Sequence, residues 1–184
     1  MHDTPRAALA GVGSATPSRV MTNEDFTRIV ETSDEWITTR TGIKERRVAT
    51  DEDSTLSLAV AASRAALDDA GGVDPASLDL IVCHTITPEI PFPATACLLQ
   101  NELGARDVPA FDISAACSGY VYALAVAQQF IQTGTYRRIL VVASDTLSRF
   151  TDYTDRASCV LFGDAAGASL LEATDEPDRG LLYT

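Results

Sequence analysis

Short apolar runs alternate along the chain with stretches in which apolar residues recur every three or four positions. The runs read as strands and the spaced stretches as helices. Residues 6–14 carry Ala7, Ala8, Leu9, Ala10 and Val12, a strand expected to break at Gly11 and Gly13 and to end before Pro17. Thr22 offers a helix cap with acids in the first turn, and Phe26, Ile29 and Val30 follow at helical spacing. A second short helix, capped by Ser33 or Asp34, would carry Trp36 and Arg40 on one face. Residues 54–70 form the clearest amphipathic helix. Leu56, Ala59, Val60, Ala62, Ser63, Ala66, Leu67 and Ala70 share a face, Arg64, Asp68 and Asp69 point away, and Gly71 and Gly72 close it.

Residues 78–85 and 138–145 read as buried strands. Between them, Pro88, Pro91 and Pro93 shape a loop around Phe92, residues 95–103 form a short helix stopped by Gly104, and residues 109–114 form a strand. Residues 119–131 bear no charge in the first three turns and predict a helix buried all round, covered on both sides. Residues 159–164 and 168–172 read as two further strands joined by a Gly/Ala-rich turn. Strands alternating with helices predict an α/β fold with a mostly parallel, mixed sheet and helices on both faces. The expected domain spans 1–173. Residues 174–184 turn polar around Pro177 and Gly180, as in a linker or the start of a further segment.

Composition narrows the function classes. The chain has 184 residues, 46% hydrophobic and 22% charged, which is globular and sufficient for a substantial core. A net charge of −12 argues against nucleic acid as a partner. Two local basic patches, Lys44-Glu45-Arg46-Arg47 and Arg137-Arg138, read as solvated faces. No apolar run approaches the ~18 residues of a membrane span. The stretch from Met1 to Arg6 lacks the order of a signal peptide, so a cytoplasmic protein is expected. The four cysteines, Cys83, Cys97, Cys117 and Cys159, include no Cys-x-x-Cys pair, which argues against zinc and against a disulfide framework.

The candidate chemistry centres on residues 111–120. They read as a buried strand ending in a small-residue turn, with Cys117 where the apolar helix begins. A helix N-terminus carries roughly half a positive charge, which favours a thiolate at that point. Alanines before Cys117 and Ser118-Gly119 after it leave room for a substrate. A nucleophile and a buried structural thiol both fit this pattern. Trp36 beside Arg40 could stack on a planar ligand and reach a phosphate, or could be a surface aromatic packed on its own helix. His84, at a strand end, reads as structural or substrate-adjacent. His2 lies near the terminus.

Several stretches in order carry a resemblance: Thr32-Ser33-Asp34-Glu35-Trp36-Ile37, Arg40-Thr41-Gly42-Ile43, Phe92-Pro93-Ala94, Phe111-Asp112 through Ala115-Ala116-Cys117, and Phe162-Gly163-Asp164-Ala165-Ala166-Gly167. Together they resemble the N-terminal half of the β-ketoacyl-acyl-carrier-protein synthase III family, initiating condensing enzymes of the thiolase superfamily. The resemblance implies a thiolase-like half in which the helix after Cys117 lies in a central layer between two sheets. It implies that Cys117 takes an acyl group from acyl-CoA and that its backbone N–H forms half of an oxyanion hole. Trp36 and Arg156 would hold the adenine between them, Thr32 would bond to the same end, and Arg40 would meet the CoA phosphates. Phe162 would line the acyl pocket, and Phe92 would cross a dimer interface to close the partner's pocket.

No permanently bound cofactor is implied; acyl-CoA is a substrate and acyl carrier protein a partner. The family's condensation step uses a histidine and an asparagine from a C-terminal half that these residues do not map. A C-terminal half or companion chain is therefore expected, with a homodimer as the complete enzyme. A catalytically incomplete CoA-binding or scaffold subunit is the alternative. A polyketide starter-unit synthase and a ketothiolase are related condensing enzymes; the Trp36–Arg40 motif favours the CoA-primed synthase III type over the ketothiolase and does not separate fatty-acid from polyketide starters.

Overall fold

The apolar runs at 80–84 and 139–142 become the middle of a five-stranded sheet, because both of its faces are covered by helices. The computed structural model describes residues 4–105, 107–176 and 178–181. In chain order the elements are β1 (Arg6–Ala15), β2 (Val20–Thr22), α1 (Asn23–Phe26), α2 (Asp34–Thr41), β3 (Glu45–Arg47), α3 (Thr55–Asp69) and β4 (Leu80–His84). They continue with α4 (Thr95–Leu103), β5 (Ala110–Ile113), α5 (Gly119–Gln132), β6 (Arg138–Thr146), α6 (Arg156–Cys159) and β7 (Asp164–Thr174). The large sheet has the order β1-β7-β6-β4-β5. β4 pairs in parallel with β5 and β6, while β7 is antiparallel to both β6 and β1. The expected mixed sheet is present, its parallel part confined to β5, β4 and β6.

Side chains alternate across the sheet, as the two-residue strand period requires. Ile81, Cys83, Leu140 and Val142 pack under α3 and α4. Leu80, Val82, Ile139 and Val141 pack under Ala123, Ala127 and Ile131 of α5. A third cluster of Met21, Phe26, Ile37, Val48, Cys159 and Val160 joins the small β2–β3 pair to α1, α2 and α6.

Several expectations change. β1 does not break at its glycines; it runs through them, with one register shift between Leu9 and Gly11. A Cβ on Gly11 would lie 2.3 Å from the Ala66 carbonyl oxygen, and one on Gly13 2.3 Å from that of Ala62. The glycines are where α3 touches the strand. Asp69 does not point away: its carboxylate accepts the Val12 N–H at 2.9 Å, occupying an outward donor of an edge strand. In α3 itself, Thr55 and Leu58 are buried, whereas Leu56 and Val60 are only partly so. α1 has the expected Thr22 cap, in a capping box with Asp25, but ends at Phe26. The residues that follow include the β-branched Thr27, Ile29, Val30 and Thr32, which suit a helix less.

Residues 159–164 are not a strand. Arg156–Cys159 is one helical turn, and β7 is a single strand containing the expected Gly/Ala turn. The small residues there serve packing, since Ala166 and Ala168 lie in the cluster with Ala59 and Ala62. α5 is buried on one face only, where Gly119, Ala123 and Ala127 recur every four residues and let the helix sit close to the sheet. Val121 and Tyr122 on its other side are 51% and 55% exposed. Beyond β7, the Leu181 N–H donates to the Ala7 carbonyl at 2.8 Å. His2 lies outside the described residues.

The contact between α3 and β1 gives a direct test. Gly13→Ala is expected to lower the unfolding free energy by about 1–3 kcal/mol in denaturant titration, since backbone cannot yield to the added methyl. Gly167→Ala, where a Cβ would meet nothing within 4 Å, is expected to stay within about 0.5 kcal/mol of the parent.

Candidate active site

The site is built at one edge of the sheet. β4, β5 and β6 end there, at His84, Ile113 and Thr146, and β7 starts there, its Asp164 paired with Thr146. Such carboxyl ends are where open α/β sheets place their ligands. The Phe92 loop leaves from β4, the Cys117 turn from β5, and Phe162 stands two residues before β7.

The Cys117 turn is held on several sides. Asp112, on β5, accepts the N–H groups of Thr95 and Ala96, each at 2.7 Å. It thereby caps α4, whose own N-cap, Ala94, has no side-chain bond to offer. Ala116 follows with φ +46, a left-handed backbone that costs a non-glycine residue about 1–2 kcal/mol. Residues Ala116–Ser118 form a 3₁₀ turn, and α5 begins at Gly119. Cys117 therefore sits in the turn just ahead of the helix rather than in its first position. The Tyr120 hydroxyl, 2.6 Å from that of Ser169, ties the first turn of α5 to β7.

Cys117 is exposed, whereas Cys83 and Cys159 are buried and Cys97 is half-buried. Burial pushes the thiols of Cys83 and Cys159 up, so both are held protonated. Of the four, Cys117 is the one presented to a reagent. Among the described residues, no group of three or more His, Cys, Asp or Glu side chains could hold a metal ion.

A second group of candidates meets around the only tryptophan. The Ser33 hydroxyl caps α2 by accepting the Trp36 N–H at 3.1 Å. The Arg40 guanidinium carbon lies 4.5 Å from the indole centroid, and that of Arg156 lies 4.7 Å from it. Arg156 also donates to the Glu31 carbonyl at 3.2 Å. Asp155 caps α6, accepting from Ala157 N–H and the Ser158 hydroxyl, which hold its carboxyl below the usual carboxylate range. Trp36 and Arg156 are thus in direct contact, and a planar ring entering between them would displace the guanidinium. Nearby, the Thr32 hydroxyl is buried with no hydrogen-bond partner among the described residues. Phe92 is 87% exposed on its loop and Phe162 39% exposed, so neither is buried against this chain.

Sequence reasoning missed the residues that join these two groups. Arg46, expected on a solvated face, is 5% exposed. Its guanidinium donates to the Val160 carbonyl and to Asn23, and lies 4.7 Å from the Phe26 ring centroid. Burial draws its pKa below the ordinary arginine value. Asn23 in turn donates to Asp34 at the start of α2 and to the Ile43 carbonyl. Asp164, 3% exposed, accepts from Ala49 N–H, Ser148 N–H and the Ser148 hydroxyl. The all-charged run Lys44-Glu45-Arg46-Arg47 carries no signal for this; the burial of Arg46 follows from its pairing with buried Met21, which only the fold provides.

Comparison with known proteins matches this geometry. A family model described as 3-oxoacyl-[acyl-carrier-protein (ACP)] synthase III matches residues 111–184. A β-ketoacyl-[acyl-carrier-protein] synthase III of Solibacter usitatus is 50% identical over 176 residues, 96% of this chain and 53% of that protein. The crystal structure of 3-oxoacyl-[acyl-carrier-protein] synthase III from Aquifex aeolicus VF5 superposes with a TM-score of 0.90 at 49% identity, covering 92% of this chain and 55% of that one. The priming β-ketosynthase from the R1128 polyketide biosynthetic pathway does so with a TM-score of 0.90 at 39% identity, covering 96% and 53%. The chain spans about half the length of the curated relatives it matches. No helix among the described residues is long and apolar enough to cross a membrane. Matched in sequence along nearly all of its length and in fold throughout, the chain is similar to about half of a β-ketoacyl-[acyl-carrier-protein] synthase III.

Proposed function

We propose that this chain carries the acyl-accepting half of a synthase III reaction, with Cys117 as nucleophile. The observation that carries this reading is an exposed cysteine on a left-handed turn between β5 and α5, at the sheet edge where the other candidates gather. The Cys117 thiolate attacks the carbonyl carbon of an acyl-CoA thioester and forms a new C–S bond. Charge builds on the carbonyl oxygen, where the Cys117 N–H donates one of the stabilising hydrogen bonds. The intermediate collapses by breaking the bond to CoA, which leaves as its thiolate and takes a proton from solvent. Trp36 and Arg156 stack on the adenine after Arg156 swings off the indole, Thr32 bonds to the same end, and Arg40 meets the phosphates.

Phe162 lines the acyl pocket, and exposed Phe92 reaches the pocket of a partner protomer. The second half-reaction, decarboxylative condensation with malonyl-acyl carrier protein, uses a histidine and an asparagine outside these 184 residues. The product starts a fatty acid or a polyketide chain; similarity to both kinds of synthase supports the class without separating them.

Intact-protein mass spectrometry after incubation with acetyl-CoA, and separately with a branched short acyl-CoA, tests the reading. A single acyl adduct is expected, lost in Cys117→Ser. Base–aromatic stacking contributes about 1–3 kcal/mol, so Trp36→Ala is expected to raise the acyl-CoA concentration needed for half-acylation about tenfold. An adduct that survives Cys117→Ser overturns the assignment. CoA binding with no adduct supports the scaffold reading instead.

A further inference from the structure

His84 is a buried ionisable group that acyl transfer leaves without a role. It ends β4, is 4% exposed, and lies against the segment that carries Cys117. On one side its Nδ1 is 3.0 Å from the Ile113 carbonyl oxygen, the last of β5. A carbonyl only accepts, so this contact assigns a proton to Nδ1. The Thr85 N–H donates to the same oxygen at 3.3 Å. On another side, Nε2 faces Asp145 Oδ2 at 3.7 Å. Asp145 is itself fixed, its Oδ1 accepting from the Thr85 hydroxyl at 3.0 Å, the Ile86 N–H at 2.8 Å and the Thr87 hydroxyl at 3.0 Å.

The third contact is with Gly119. Its φ of −60 and ψ of −40 are ordinary helical values, open to any residue. A Cβ there would nevertheless fall 1.9 Å from His84 Nδ1 and 2.1 Å from Cε1. The ring is what requires a glycine at the head of α5. His84 thus touches both ends of the Cys117 turn: Ile113, four residues before the cysteine, and Gly119, two after it.

We propose that His84 is a positioning residue for Cys117. Its Nδ1–H pins the carbonyl that ends β5 and its ring face sets how closely α5 approaches. The segment 113–119 is thereby kept at the span that the left-handed Ala116 needs, and Cys117 is held where a thioester can meet it. The inference rests on the reading of Cys117 as nucleophile.

Three substitutions separate a hydrogen-bond pin from simple filling of space. Asparagine can place an N–H near the position of Nδ1–H, glutamine reaches toward the position of Nε2, and alanine supplies neither. The second-order rate of Cys117 alkylation by iodoacetamide, read by peptide mass spectrometry, reports the presentation of the thiol without needing CoA. Displacing a nucleophile by about 1 Å can cost up to about a hundredfold in rate. His84→Asn is expected to alkylate within about threefold of the parent, and His84→Gln and His84→Ala about tenfold more slowly, at unchanged near-ultraviolet circular dichroism.

A space-filling role would follow side-chain volume, so a glutamine variant matching or exceeding the asparagine variant overturns the proposal. Equal rates in all variants, or an asparagine variant as slow as alanine, do the same. Gly119→Ala approaches the contact from the other side and covers the case of a poorly folded His84 variant. It is expected to slow alkylation about tenfold in the parent and to add nothing in a His84→Ala background; additive losses contradict the contact. Acetyl-CoA labelling run in parallel keeps the two ideas apart. Absence of an acyl adduct with the alkylation pattern intact removes the acyl-transfer reading, whereas an adduct with a flat alkylation pattern removes the role of His84.

Discussion

The left-handed backbone of Ala116 is the constraint on which the rest of the site depends. A non-glycine residue leaves that region unless its neighbours are fixed. Here they are fixed in each direction. Asp112 ties the strand before the turn to the start of α4, and Tyr120 ties the helix after it to β7. Cys117 is exposed not because it lies on a loose loop but because a packed strand and a packed helix meet too abruptly to bury it. Function in this fold is then a matter of what else the same sheet edge can hold in place.

The tryptophan group is attached to that edge through buried polar ties rather than through the main core. Arg46 and Asn23 connect α2 to the Val160 carbonyl, and Asp164 connects the start of β7 to the segments at Ala49 and Ser148. Removing one partner from such a network leaves the others buried and unpaired, at a cost of about 1–3 kcal/mol for each group. The stacking of Trp36 with Arg156 therefore inherits its geometry from residues that touch no ligand. The run from Arg156 to Asp164 links the two ends of the site, since it contains Arg156, Val160 and Phe162 in one short stretch.

Much of this was legible before the structure. β4 and β6 are continuous apolar runs because both faces are covered, and the caps at Thr22 and Ser33 are local hydrogen-bond signals that need no tertiary context. The Cys117 turn was legible from small residues set between an apolar strand and an uncharged apolar helix, although the ties that hold it, from Asp112 and Tyr120, reach residues distant in sequence. What failed was ambiguous in physical terms. Gly11 and Gly13 look like strand breakers, yet glycine also marks close approach, and only the position of α3 decides between them. Arg46 sits in a charged run that suggests water, and its burial depends on the Val160 carbonyl and Asn23, both distant in sequence. The Ala166–Ala168 stretch looked like a turn because small residues were needed under α3. The meeting of Trp36 with Arg156 spans most of the chain and came only from resemblance.

The most direct test of the central claim is a crystal structure of the protein soaked with acetyl-CoA. The account predicts continuous density from Cys117 Sγ to an acetyl group, with the adenine stacked on Trp36 and the Arg156 guanidinium moved off the indole. An unmodified Cys117 in a crystal whose CoA is bound at Trp36, or an acetyl group on any other residue, would contradict it.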